Sequence, residues 1–80
     1  MDKLQNIQSI KFTDDQMILE IDDHKYIIDL NQISNRLLNA SEEQRNNFEI
    51  SPANYGIHWP FIDEDLAVTN LIKSSRELSA

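Results

Sequence analysis

Cysteine is absent from all 80 residues. That excludes disulfides, thiolate nucleophiles and cysteine-based zinc sites, and makes a reducing cytoplasm the expected setting. Glycine occurs only once, and neither G-x-x-x-x-G-K-S nor G-x-G-x-x-G is present, so no phosphate-binding loop of those kinds exists. Bases are scarce: seven lysines and arginines stand against fourteen aspartates and glutamates, for a net charge of −7. Phosphate backbones repel such a chain, so direct binding to nucleic acid is not expected. The charge either keeps the protein soluble or complements a basic partner. No run of ~18 apolar residues could cross a bilayer, and the N-terminus MDKLQNIQSIKF lacks the apolar stretch of a signal peptide. The expectation is a soluble, unprocessed, cytoplasmic protein that does not engage membranes.

What is present is ordinary for a globular chain, at 40% hydrophobic and 26% charged residues. The length suits one domain over 1–80, with 74–80 a frayed tail. Domains this small bury only about 60–65% of the unfolded surface, so association is a natural supplement to a thin core.

Residues 5–30 read as a three-stranded antiparallel meander with two-residue reversals at Asp14-Asp15 and Asp23-His24. Counting back from those turns sets Ile10 opposite Leu19, Phe12 opposite Met17, Ile21 opposite Tyr26 and Leu19 opposite Ile28. Alternation then collects Ile10, Phe12, Met17, Leu19, Ile21, Tyr26, Ile28 and Leu30 on one face. Lys11, Glu20, Lys25 and Asp29 fall on the other, with Ile18 and Ile27 as apolar exceptions. From Asn31 the period turns helical, predicting helices over about 31–39 and 41–47, continuous or kinked near Asn39-Ala40. Ser41 and Gln44 form a capping box that starts the second. Phe48 to Ser51 is a short strand limited by Pro52, and residues 52–55 are loop. Val68, Leu71 and Ile72 mark a terminal helix. The fold class is α+β: a three- to four-stranded antiparallel sheet with two or three short helices on one face.

Residues 56–65 read GIHWPFIDED and hold the one glycine, the one tryptophan, a histidine and a proline. Gly56 supplies either a positive φ or a close backbone approach. In extended backbone His58 and Trp59 point to opposite faces, so one is buried and the other lies nearer solvent. Trp59 suits the core edge, with its N–H on a backbone carbonyl. His58 could act as a base or ligand, or serve as a structural hydrogen-bonding group. Asp63, Glu64 and Asp65 could form an acid–base pair or bind a hard cation. The plainer account has one capping the next turn and another pairing with Arg36 or Arg45. His24 falls at an exposed hairpin tip, and no serine sits in a G-x-S-x-G elbow.

The stretch RLLNASEEQRNNFEISPANYGIHWPFIDEDLAVTNLI resembles the bacterial family catalogued as domain of unknown function 2442. The resemblance rests on Arg36-Leu37, Ala40-Ser41-Glu42-Glu43-Gln44-Arg45, Gly56-Ile57-His58-Trp59-Pro60, Asp63-Glu64-Asp65 and Leu71-Ile72. It departs from the family where Asp23-His24-Lys25 replaces a D-G-R turn. It departs again where residues 29–37 lack a P-L-x-W-F-P-R-L segment. Ala67 replaces a serine before the last helix and predicts a weaker cap. The resemblance implies a small bacterial cytoplasmic protein without established activity. Some members are encoded beside another short protein, as in toxin–antitoxin pairs; others precede a helix-turn-helix domain, for which these 80 residues leave no room.

The functional expectation is a non-enzymatic protein-interaction or regulatory module, antitoxin-like, with no cofactor and no metal. Its expected interaction residues are Arg36, Arg45, Gly56, His58, Trp59, Pro60, Asp63, Glu64 and Asp65; of these the arginines, the acids, His58 and Trp59 either converge on one polar cluster or form a structural salt-bridge network. Its expected partner is another protein, encoded next door and engaged through the GIHWP-DED face or a sheet edge at the first strand or at 48–51, or a second copy engaged through that edge. The alternative is a small metal- or ligand-binding hydrolase using His58 and the 63–65 acids.

Overall fold

Two pairs of aspartates reverse the chain in its first half. In the computed structural model, which describes residues 6–77, β1 (Ile7–Phe12), β2 (Gln16–Ile21) and β3 (His24–Asp29) form an antiparallel meander. At the first reversal the Thr13 amide donates to the Gln16 carbonyl across Asp14-Asp15 at 2.9 Å. Ile10 pairs with Leu19 and Phe12 with Met17, as that loop predicts.

The second reversal corrects the expectation. Its central residues are Asp22 and Asp23, with φ of 52° and 70°, instead of Asp23-His24. A tight hairpin turn of this hand needs left-handed backbone at both central positions, and two aspartates supply it. Gln8 reinforces the choice: its carbonyl oxygen accepts from the Asp23 amide at 2.9 Å, and its amide donates to Oδ1 of Asp23 at 3.1 Å. Ile21 therefore pairs with His24, Leu19 with Tyr26 and Met17 with Ile28. A slide of two residues leaves every side chain on its predicted face. Met17, Leu19, Ile21, Ile28 and Leu30 are buried, with Ile10, Phe12 and Tyr26 packed against them. On the other face Ile18 pairs with Ile27, and both are half-buried.

The predicted helix over 31–39 is two helices, α1 (Leu30–Ile33) and α2 (Asn35–Leu38). Ser34 separates them with extended backbone (φ −160°, ψ 107°). Its hydroxyl oxygen accepts from the Leu37 amide at 3.1 Å and its O–H donates to Glu64. A serine that offers its side chain to the backbone competes with helix continuation, and here it wins. α3 (Glu42–Arg45) starts with the predicted capping box and is three residues shorter than expected.

The larger correction is a second sheet. β4 (Glu49–Ile50), β5 (Gly56–Trp59) and β6 (Glu64–Ala67) pair antiparallel in that order. A 3₁₀ turn over Pro52–Asn54 joins the first two. α4 (Val68–Lys73) follows β6 directly, and Ala67 at its start makes no side-chain cap, as predicted. β7 (Arg76–Glu77) then pairs with β3, giving the first sheet the order β1-β2-β3-β7. The expected frayed tail is therefore not frayed through Glu77; its last residues, 78–80, lie outside the described residues. The architecture is α+β, with two small sheets in place of one. Ile57 and Trp59 from the second sheet join Leu30, Leu37, Val68 and Leu71 from the helices in one apolar cluster with the first sheet.

Arg45 ties these parts together while only 8% exposed. Nε donates to the Leu37 carbonyl at 2.9 Å, and the two terminal nitrogens reach Thr13, Asp14 and Leu38 carbonyls at 2.7, 2.8 and 3.1 Å. The guanidinium lies 5.5 Å from the centroid of the Phe12 ring. Its own carbonyl accepts from the Trp59 indole N–H at 2.9 Å. Arg45→Ala should lower unfolding stability by at least about 3 kcal/mol, since several charge-assisted bonds vanish and buried carbonyls lose their donor. Arg45→Lys should recover little of it, because one ammonium cannot reproduce the planar fork. Urea titration measures both. Trp59→Ala should cost ~3–5 kcal/mol, whereas Trp59→Phe, which keeps most of the ring, should cost about 1–2 kcal/mol.

Candidate interaction surface

The GIHWPFIDED segment is one hairpin, with β5 and β6 joined by a turn over residues 60–63. Gly56 does not have a positive φ. Its role is close approach: a Cβ there would stand 3.3 Å from the Leu66 carbonyl oxygen on the neighbouring strand. Ala53 and Asn54 take the left-handed conformations instead, at φ 64° and 60°. Ser51 closes this loop, its hydroxyl oxygen accepting from the Gly56 amide at 2.8 Å and its amide donating to the Gly56 carbonyl at 2.9 Å.

Strand alternation sorts the rest. Ile57 and Trp59 point into the core and are 1% and 0% exposed. The Trp59 ring stands 6.3 Å from that of Phe48, tilted 56°. His58 faces the other way and lies in a row across the second sheet, between Glu49 on β4 and Asp65 on β6. Its Nδ1 is 2.8 Å from Oδ1 of Asp65, and this pair is open to solvent.

The three acids serve separately. Asp65 meets His58 on the outer face. Glu64, half-buried and opposite Trp59, accepts the Ser34 hydroxyl proton. Asp63 sits in the turn at φ 53°, and its carbonyl accepts from Arg36. None of the three caps α4 or forms the expected ion pair with Arg36 or Arg45; both arginines donate to backbone carbonyls instead. The expected convergence of arginines, acids, His58 and Trp59 on one polar cluster therefore does not occur. A carboxylate bonded to a buried hydroxyl, a carboxylate on a histidine and a turn carbonyl on an arginine occupy three different places. Pro60 is exposed in the turn, beside Phe61, which is also exposed. A histidine–carboxylate pair can move protons only with a reacting group held against it. Among the described residues, no group of three or more His, Cys, Asp or Glu is arranged to hold a metal ion.

Beside the outer row runs a groove of about 480 Å³ lined by Ile50, Pro52, Tyr55, Gly56, His58 and Asp65. Ile50 is 38% and Tyr55 66% exposed. Neither was among the residues singled out from sequence. Their signal was present: both flank Pro52 in a segment with no periodicity to bury them, and an apolar side chain without a core position stays in water.

No helix among the described residues is long and apolar enough to cross a membrane. No curated protein and no solved structure matches the chain. The family described as "Protein of unknown function (DUF2442)" matches residues 7–77, nearly the whole chain, and the protein belongs to that family.

Proposed function

We propose that this is a non-enzymatic, cytoplasmic interaction module that docks a basic protein on the outer face of its second sheet. The observation that carries the reading is the placement of exposed Tyr55 and Ile50 beside the carboxylates Glu49 and Asp65. An exposed aromatic flanked by charge is the composition of an interface anchor with a polar rim. The net charge of −7 supplies long-range attraction to a positive partner. Docking occludes the partner's basic surface, which suits the antitoxin-like or regulatory half of a bacterial two-gene pair. In this reading Trp59 shapes the surface from below and does not touch the partner.

Co-expression with the protein encoded by the neighbouring gene, followed by affinity capture and titration, tests this. Tyr55→Ala should weaken the complex at least about tenfold, as loss of an anchor does, while shifting stability by no more than ~0.5 kcal/mol. His58→Ala should likewise leave stability within about 1 kcal/mol, because its bond to Asp65 is solvent-exposed. Undiminished capture by Tyr55→Ala would remove this surface from the interface. Calorimetric titration with Mn²⁺, Zn²⁺ and Mg²⁺ decides the catalytic alternative: tight stoichiometric binding that disappears in His58→Ala would replace the module by a metal-dependent site.

A further inference from the structure

Among the described residues β1 is an outer strand of its sheet, and its backbone exposes a defined row of groups. The Thr13–Gln16 bond identifies them. Bonded and non-bonded pairs alternate along an antiparallel ladder. Lys11 and Ser9, stepping by two from Thr13, therefore turn their amides and carbonyls toward β2, whereas Ile10 and Phe12 turn theirs outward. Their side chains lie on the half-buried, core-facing side, while Ser9 and Lys11 lie on the other. Beside the edge is a concavity of about 830 Å³, walled by Ile10, Phe12, Leu38 and Arg45.

We infer that a second copy of the chain docks on this edge, β1 against β1 about a two-fold axis, with Ile10 opposite Ile10. This site is separate from the partner surface proposed on the second sheet and does not depend on it. Charge selects the register. A two-fold pairing that sets Ile10 against an outward residue of the other copy, Ile10 or Phe12, has two centres. Centred on Lys11, it sets lysine against lysine in the close, non-bonded type of pair, where like charges repel. Centred on Ile10, it sets each Lys11 opposite Ser9 of the other copy. The Ser9 hydroxyl bonds Oε1 of Glu20 at 3.2 Å, so each lysine approaches the partner's Glu20 across the junction.

The occupant follows from the same geometry. A foreign strand would have to bring an acid near this register to satisfy Lys11, and the chain itself carries Glu20 on the strand next to Ser9. The axis is perpendicular to the sheet, so the two core-facing sides merge and two four-stranded sheets become one of eight. Lys11 also guards the edge, as lysines on outer strands do, by disfavouring the register in which it meets itself.

Sedimentation equilibrium of the full chain over a range of concentrations tests the inference. Wild type should form a concentration-dependent dimer. Ser9→Lys should weaken it about tenfold by placing lysines opposite one another, and adding Lys11→Ser should restore it. Circular dichroism and melting establish that each variant folds. Lys11→Glu, at an exposed position, should also weaken the dimer, and it replaces Ser9→Lys as the deciding variant if the latter melts early. Tyr55→Ala should leave the dimer unchanged. A wild type that stays monomeric at its highest soluble concentration overturns the inference. So does a dimer indifferent to the charge changes, one not restored by the exchange, or one lost in Tyr55→Ala.

Discussion

One buried guanidinium holds this small fold in register. Arg45 stands where the first hairpin, the helical segment and the second sheet meet, and donates to four backbone carbonyls from two separate stretches of chain. Those carbonyls belong to a helix end and a hairpin loop, two places where the backbone leaves acceptors unpaired. A planar five-donor group answers several at once, and its charge strengthens each bond in a site largely shielded from water. The Phe12 ring beneath it adds a favourable face for the cation. Through the Arg45 carbonyl the same residue receives the Trp59 indole, so a fully buried aromatic is positioned by a buried charge.

That anchor explains how two short sheets share one core. The second sheet is too short to stand alone, with strands of two, four and four residues. Ile57 and Trp59 commit one face of the second sheet to the common cluster. Alternation then commits His58, with Glu49 and Asp65 beside it, to the outside. The polar row is thus a consequence of burying the tryptophan. Ser34 provides a second link, breaking the helix, capping α2 and binding Glu64 on β6.

Much of this was legible in the residues. The first hairpin register, the face composition of the meander, the Ser41–Gln44 capping box and the uncapped start of α4 all follow from local chemistry within a few positions. The opposed orientations of His58 and Trp59, and the indole bond to a carbonyl, are likewise local consequences of extended backbone and ring chemistry. Three features were not legible. The break at Ser34 needs Glu64, thirty residues away, to reward the serine for leaving the helix. Asp22-Asp23 and Asp23-His24 differ little as isolated turns, and Gln8 from another strand separates them. Acids at 63–65 look like a helix N-terminus until β5 is placed beside them as a strand to pair with. The interaction surface shows the same division. His58 and Asp65 stood out by type, but Ile50 and Tyr55 gained meaning only when the chain around Pro52 left them uncovered.

The residue order alone therefore determined the fold class, the absence of thiol chemistry, the acidic surface and the in–out assignment of the meander and of His58 and Trp59, because each depends on composition or on spacings of two to four. Tertiary structure alone decided that Arg45 serves carbonyls instead of carboxylates, that the three acids part company and that a second sheet exists. Those outcomes are contests between partners far apart in the chain, decided by which groups the folded backbone brings within hydrogen-bonding distance.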